Sequence, residues 1–131
     1  MTRQDLKELY QLKGYIKEQT EEYIKKFSLV TKMTQSLDGM PKAHNKSNYA
    51  IEEFIDSSTA LIEIMNQDLA KEKAIMEQID KLNNYLYKRI LYKRYVLRES
   101  FDEISEAIKY DYYNTCKFHG LALNEFDKLD N

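Results

Sequence analysis

A chain with so few turn-making residues has little choice but helices. Three glycines and a single proline, Pro41, occur among 131 residues, too few to close the hairpins of a many-stranded sheet. Lys, Glu, Leu, Ile and Met are abundant instead, and these residues favour helix. We therefore expect an all-α protein of one domain or two small modules. No stretch approaches the roughly 20 apolar residues of a membrane span, and no secretory signal precedes the amphipathic sequence. Cys116, the lone cysteine, cannot form an internal disulfide, which suits a reducing cytoplasm. A cytoplasmic protein with no membrane partner is the expectation.

From about residue 4 to 35, apolar residues recur at helical spacing. Leu9, Ile16, Tyr23 and Val30 are each seven apart, and Leu6, Leu12, Ile24, Phe27 and Met33 widen the stripe. This predicts a long amphipathic helix with a seam resembling a coiled coil. Lys13 and Thr20 sit where a strict second heptad position would be apolar, so a short intramolecular coil is expected. Residues 36–48 break the pattern, and the polar run around Gly39 and Pro41 reads as a linker. Ser47 or Asn48 can cap a second helix over about 49–82, with Glu52 and Glu53 in its first turns. Its core stripe is read as Ile51, Ile55, Ser58, Ile62, Met65, Leu69, Met76 and Ile79. Two helices joined by such a linker are expected to fold back as an antiparallel hairpin over residues 1–82.

Asn83-Asn84 marks a kink or cap, after which three shorter helices fit within residues 83–131. The first spans about 84–98, with Leu86, Ile90, Leu91 and Tyr95 as its apolar face. Ser100 can cap the second, about 101–108, and Glu103 completes a capping box. Phe101, Ile104, Ala107 and Ile108 give that helix its buried side. Lys109-Tyr110 is the turn, and Asp111 can cap the third helix, about 112–129. Phe118, Ala122, Leu123 and Phe126 should face its core, with Ile104 and Leu123 on facing helices. A packing helix, a short helix, a tight turn and a longer helix make the helix-turn-helix pattern.

The net charge of −2 is unevenly distributed. Residues 81–98 carry six cations, Lys81, Lys88, Arg89, Lys93, Arg94 and Arg98, and no acid, whereas residues 99–131 carry three lysines against eight acids. Such a basic island is suited to phosphate contact.

Three segments carry a resemblance. Tyr92-Lys93-Arg94-Tyr95, Ser100-Phe101-Asp102-Glu103-Ile104-Ser105-Glu106-Ala107-Ile108 and His119-Gly120-Leu121-Ala122-Leu123 are similar to region four of sigma factors. There, a helix ending in an Arg-Tyr pair precedes a Ser-apolar-acid-Glu-Ile-Ala pattern and a recognition helix closing on Ala-Leu. With Met40-Pro41 in the linker, the whole chain resembles small phage and prophage proteins of the ArpU type, late-gene regulators with a coiled-coil front and a sigma-like tail. The chain departs from that pattern at Lys109, where the turn usually holds Gly, and at Thr115, where a buried Val is usual.

The resemblance implies a transcription regulator that binds double-stranded DNA through its C-terminal helix-turn-helix. Lys88, Arg89, Lys93 and Arg94 would hold phosphates. Tyr112, Tyr113, Asn114 and Lys117, with His119 beside them, would face the major groove. Asn114 can read adenine, and either Tyr can bond phosphate or touch a thymine methyl. The hairpin would supply a homodimer. The alternative is a protein-binding module, because region four also docks on RNA polymerase. A phage-encoded mimic could bind host polymerase or a host defence protein, and Tyr is enriched at such interfaces.

Enzymatic chemistry is not expected. No Gly-rich phosphate loop, nucleophile elbow or zinc-protease motif occurs. Acid pairs such as Glu21-Glu22 and Glu52-Glu53 point in different directions from their helices. Cys116 and His119 could share a helix face, but the only other histidine, His44, falls in the linker, short of a four-ligand site. Neither metal nor cofactor is expected.

Overall fold

The computed structural model describes residues 1–36 and 46–129, and every regular element among them is helical. Helix α1 spans Arg3–Ser36 and α2 spans Lys46–Asp80. Helix α3 (Tyr85–Leu91) passes into a π-helical turn (Tyr92–Val96), followed by α4 (Phe101–Ile108) and α5 (Tyr112–Lys128). Among the described residues, no helix is long and apolar enough to cross a membrane. Residues 37–45, with Gly39, Met40, Pro41 and His44, lie outside the described residues. Helix α2 begins at Lys46, so Ser47 and Asn48 fall inside its first turn, and their expected capping lies outside what is described of their side chains.

The caps of the C-terminal helices follow from local chemistry. Asn84 Oδ1 accepts from the N–H groups of Leu86 and Tyr87 at 2.9 and 3.2 Å, starting α3. Ser100 Oγ accepts from the Glu103 N–H at 3.2 Å, and its hydroxyl donates to Glu103 Oε1 at the same distance. The capping pair thus closes through the Ser100 hydroxyl. Asp111 Oδ1 accepts from the Asn114 N–H at 2.7 Å. The helix expected over 84–98 runs from Tyr85 to Val96, but its last turn is π-helical, widening after Leu91 until Leu97 N–H reaches the Tyr92 carbonyl. Glu99 N–H then bonds the Lys93 carbonyl at 2.9 Å, with Arg98 left-handed at φ 56°. Lys109 is left-handed too, at φ 65°. Both close a helix where Gly is the usual residue, at a cost on the order of 1 kcal/mol each.

Two compact units form, and each takes part of α1 and α2: Met1–Lys13 with Asp68–Asn131, and Gly14–Gln67. In the first, the start of α1 runs antiparallel to the end of α2. Lys71 Nζ lies 2.8 Å from Glu8 Oε2. Lys13, out of place in an apolar heptad, pairs with both Asp68 and Glu72 at 3.2 Å.

The core of this unit is shared between both ends of the chain. Leu6, Leu9, Ile75, Ile79 and Leu82 are buried with Leu91, Tyr95, Val96, Ala122, Leu123 and Phe126. A second cluster, Ile90, Ile104 and Ile108 with Leu86, Phe101 and Phe118 against it, belongs to the C-terminal helices alone. Ile104 and Leu123 therefore sit in different clusters, although the helices that carry them, α4 and α5, face each other as expected. Ala107 is exposed, because α4 is short and turns only one narrow face inward. Arg3 ties the ends together through Asp127 Oδ2, 2.6 Å from its Nε, and Asn124 Oδ1, 2.7 Å from Nη2.

Within Gly14–Gln67 the two helices are again antiparallel. Tyr23 stacks on Phe54 with centroids 4.7 Å apart, and Lys26 Nζ bonds Ser57 Oγ at 3.2 Å. These contacts fix which faces look inward, and most of the expected stripe on α2 is out of phase, although Ile51 and Ser58 are half-buried and Ile79 is buried as expected. Phe54, Leu61 and Ile64 turn inward, whereas Ile55, Ile62 and Met65 are exposed. Leu69 and Met76, further along α2, are exposed too. Ile24 and Phe27 on α1 likewise lie open.

Because Leu9 belongs to the core that closes the tail, Leu9→Ala should cost about 2–5 kcal/mol. Chemical denaturation measures the loss. Hydrogen exchange should then speed up in α5 as well as in the first turns of α1. Exchange confined to α1 would mean that the tail closes on its own.

Candidate nucleic-acid interface

Helix α5 follows α4 after a short turn held by the left-handed Lys109 and the Asp111 cap. Its register is set from inside. Thr115, fully buried, hydrogen-bonds through Oγ1 with Ser105 Oγ at 2.9 Å and donates to the Asp111 carbonyl at 2.8 Å. With Thr115, Ala122, Leu123 and Phe126 inward, residues 113, 117, 121 and 124 fall on the opposite side. Tyr113 is 75% exposed and Lys117 is exposed. Asn114 is half-buried at the helix start, beside the cap. The open positions of Tyr113 and Lys117 leave both side chains within reach of an approaching partner.

Tyr112 behaves differently. Its ring packs edge-on against Phe101, with centroids 6.4 Å apart. A hydrogen bond with Cys116, more than any other influence, holds its hydroxyl above the usual tyrosine range. The residue still leaves 55% of its surface open, but as the edge of the α5 surface rather than its centre. His119 turns inward altogether. Its ring stacks on Tyr95 and meets Phe101 edge-on, and its Nε2 lies 2.8 Å from the Tyr95 hydroxyl. Burial first, then the nearby Arg94, Arg3 and Lys7 charges, push its pKa down to about 4. Burial raises the Tyr95 hydroxyl against the pull of Arg94. A neutral imidazole within the fold is the result.

The four candidate phosphate-binding cations divide between the two ends of α4. Arg89 Nη2 donates to the Ala107 carbonyl at 3.2 Å, and Lys88 Nζ lies 5.1 Å over the Tyr85 ring. Arg89 is thus exposed at the C-terminal end of α4, while Lys88, its neighbour in sequence, is half-buried. Arg94, at the other end, lies between the rings of Tyr10 and Phe101 at 4.7 and 4.5 Å, and its Nη1 donates to the Glu99 carbonyl at 3.0 Å. Lys93 lies 3.7 Å from a Glu99 carboxylate oxygen. Arg94 and Lys93 thus spend their donors partly inside the fold, while Arg89 and Lys88 are freer.

Sequence reasoning missed the aromatic floor beneath this arginine. Arg98, counted in the basic island but given no role, lies 4.4 Å over the same Tyr10 ring. Tyr10 is on α1, some eighty residues away, and no local signal connects it with Arg94. Between the two ends, the open face of α4 carries Asp102, Glu103 and Glu106. No group of three or more His, Cys, Asp or Glu suited to a metal occurs among the described residues.

Compared with family models, with curated proteins and with solved structures, the chain matches none.

His119 gives this region a pH dependence of definite sign. Its folded pKa, about 4, lies below the ordinary 6.5, so the fold prefers the neutral ring. The stabilising preference is complete above pH 6.5 and is lost as pH falls toward 4, because the unfolded chain takes up the proton first. Thermal or urea unfolding between pH 7 and 4 should show a loss approaching one proton's slope that His119→Gln removes. An unchanged slope in that variant would place the ionisation elsewhere.

Proposed function

We propose that this chain is a DNA-binding regulator of the phage type, whose tail works as a sigma region-four-like helix-turn-helix behind a helical hairpin. One observation carries the reading: the open face of α5 presents Tyr113 and Lys117, with the half-buried Asn114 beside the cap, directly after a capped, left-handed turn. A short helix, a tight turn and a longer helix with its first turns open is how recognition helices enter a major groove. In this reading Asn114 reads adenine, Tyr113 touches a base edge or thymine methyl, and Lys117 meets phosphate or base. Tyr112 supports from the edge. Arg89 and Lys88 take the phosphates on one flank, while Arg94 and Lys93 steady the turn before α4 and add charge on the other.

The departures from the family pattern support one another. Ser105 stands where the pattern has Ala and Thr115 where it has a buried Val, and their hydroxyls bond each other in the buried interior. The polar pair satisfies itself, so the interior tolerates it. Pairing of two copies through α1 and α2 would supply a symmetric dimer and a second half-site.

The acidic face of α4 favours a second reading. Asp102, Glu103 and Glu106, beside the exposed Tyr110, Tyr112 and Tyr113, suit a basic protein surface better than a phosphate backbone. In that reading the tail docks on a host protein such as RNA polymerase, in the cytoplasm of a bacterial host, and leaves DNA untouched.

Salt-dependent binding separates the two. Lys88→Ala with Arg89→Ala should weaken binding to every duplex and lower the salt slope by about one unit for each phosphate no longer held. Tyr113→Ala with Asn114→Ala should instead erode discrimination between the preferred site and random duplex, leaving most of the slope. Fluorescence anisotropy at several salt concentrations reads both. A wild-type chain that binds no duplex at low salt, from its own genome or random, overturns the DNA reading.

A further inference from the structure

The unit Gly14–Gln67 has helices but no interior. Not one of its described side chains is buried, although it carries Ile, Leu, Phe, Tyr and Met throughout both helices. Two antiparallel helices alone cannot enclose a core, whereas four can.

The exposed apolar residues are not scattered. The Tyr23–Phe54 stack and the Lys26–Ser57 bond show which faces of the two helices meet. At 3.6 residues per turn, Ile24 and Phe27 of α1 and Ile55 and Ile62 of α2 then project from the same side of the pair. Each is 54–58% exposed. Thr20, Thr31, Ile51, Ser58, Met65 and Asn66 share this side, and its one charge among the described residues, Lys17, stands seven residues before Ile24 near the start of the unit.

Even the hydroxyls are prepared for burial. Ser58 Oγ donates to the Ile55 carbonyl at 2.8 Å, and the neighbouring Thr59 Oγ1 donates to the same carbonyl at 3.0 Å. Turned back on their own helix, they ask for no solvent. Depletion of charge with apolar anchors is the composition of an interface centre.

We infer that this face is where a second copy of the chain docks, the two helix pairs completing a four-helix bundle. Its chemistry selects that occupant. With a single lysine near one end, the face offers little to a phosphate backbone or to a charged peptide, while its uncharged centre is complementary to itself, as a twofold interface requires. Six lysines against eight acids leave the whole unit near neutrality, so two copies do not repel. The four large side chains offer on the order of 100 Å² each. That is about half of the ~800 Å² each partner gives to a standard interface, before the surrounding side chains are counted. The inference deepens the pairing assumed in the DNA reading. It is tested without DNA, so its failure leaves the assignment of the tail untouched.

The full chain should sediment as a dimer at micromolar concentrations. Ile55→Glu with Ile62→Glu places two carboxylates on the face and should weaken the dimer at least about tenfold, with helical content unchanged by circular dichroism. Leu29→Glu, equally open at 56% exposure but on the other side of the pair, should leave the dimer intact. A second measurement avoids the charge changes: nitroxides attached to Thr59→Cys in a Cys116→Ser background should couple between copies. A wild-type monomer overturns the inference, whether or not it captures another protein. So does a dimer indifferent to the glutamates at 55 and 62, a dimer abolished by Leu29→Glu, or an absence of coupling between labels.

Discussion

The burial of Leu6 and Leu9 against Ile75, Ile79 and Phe126 supports everything downstream of residue 82. The three C-terminal helices have a small cluster of their own, around Ile90, Ile104 and Ile108. That cluster is too thin to hold α5 by its second half. Ala122, Leu123 and Phe126 find their partners in the first turns of α1 and the last turns of α2. Arg3, bound to Asp127 and Asn124, fastens the same junction from outside. Chain ends far apart in sequence are thereby made one folding unit, and the tail's geometry depends on the helices before it.

That junction also shapes the charges on the candidate interface. Tyr10 rides on α1, and the packing of α1 brings its ring under Arg94 and Arg98. Two guanidinium groups held over one ring are oriented without being neutralised, since a cation over an aromatic face keeps its charge. Arg94 repels a proton on His119 from the same position. Burial keeps the imidazole neutral first, and the same basic cluster that steadies the turn before α4 adds to that effect while leaving positive potential at the surface. The acids of α4 work against that potential, and their balance decides what kind of surface can approach α5.

Short-range features are the ones legible in the sequence. Asn84, Ser100 and Asp111 cap because a side-chain oxygen reaches an N–H two or three residues on, and that needs no tertiary information. The sequence marks Lys109 as standing where the turn usually holds Gly, and its left-handed backbone is a finding of the structure. The outward positions of Tyr113 and Lys117 follow from the phase of a short, well-marked helix. Long-range features are not legible. Along α2 the residues 55, 62, 69 and 76 are all apolar and seven apart, a pattern that announces a face in need of cover without saying what covers it. Periodicity alone makes that strongest stripe the intramolecular seam, while the seam runs through Phe54, Leu61 and Ile64. Arg94 looks like a free cation in the sequence because nothing near it in the chain points to Tyr10. Helical spacing sets His119 beside the groove-facing residues because it cannot weigh Tyr95, twenty-four residues earlier, as a partner.

The hydroxyl pair Ser105–Thr115 has a consequence for how such a tail can change over time. The two hydroxyl oxygens lie 2.9 Å apart, each also within reach of one backbone carbonyl as donor, so two protons serve three contacts, deep between α4 and α5. Replacing one partner with an alkyl group leaves the other hydroxyl donating to its own backbone carbonyl, Phe101 for Ser105 or Asp111 for Thr115, so no polar atom is stranded away from water. The polar and the apolar versions of this interior are therefore each self-consistent, and single-residue steps join them. Chains descended from a common tail would cross between the two without losing the contact of α4 with α5.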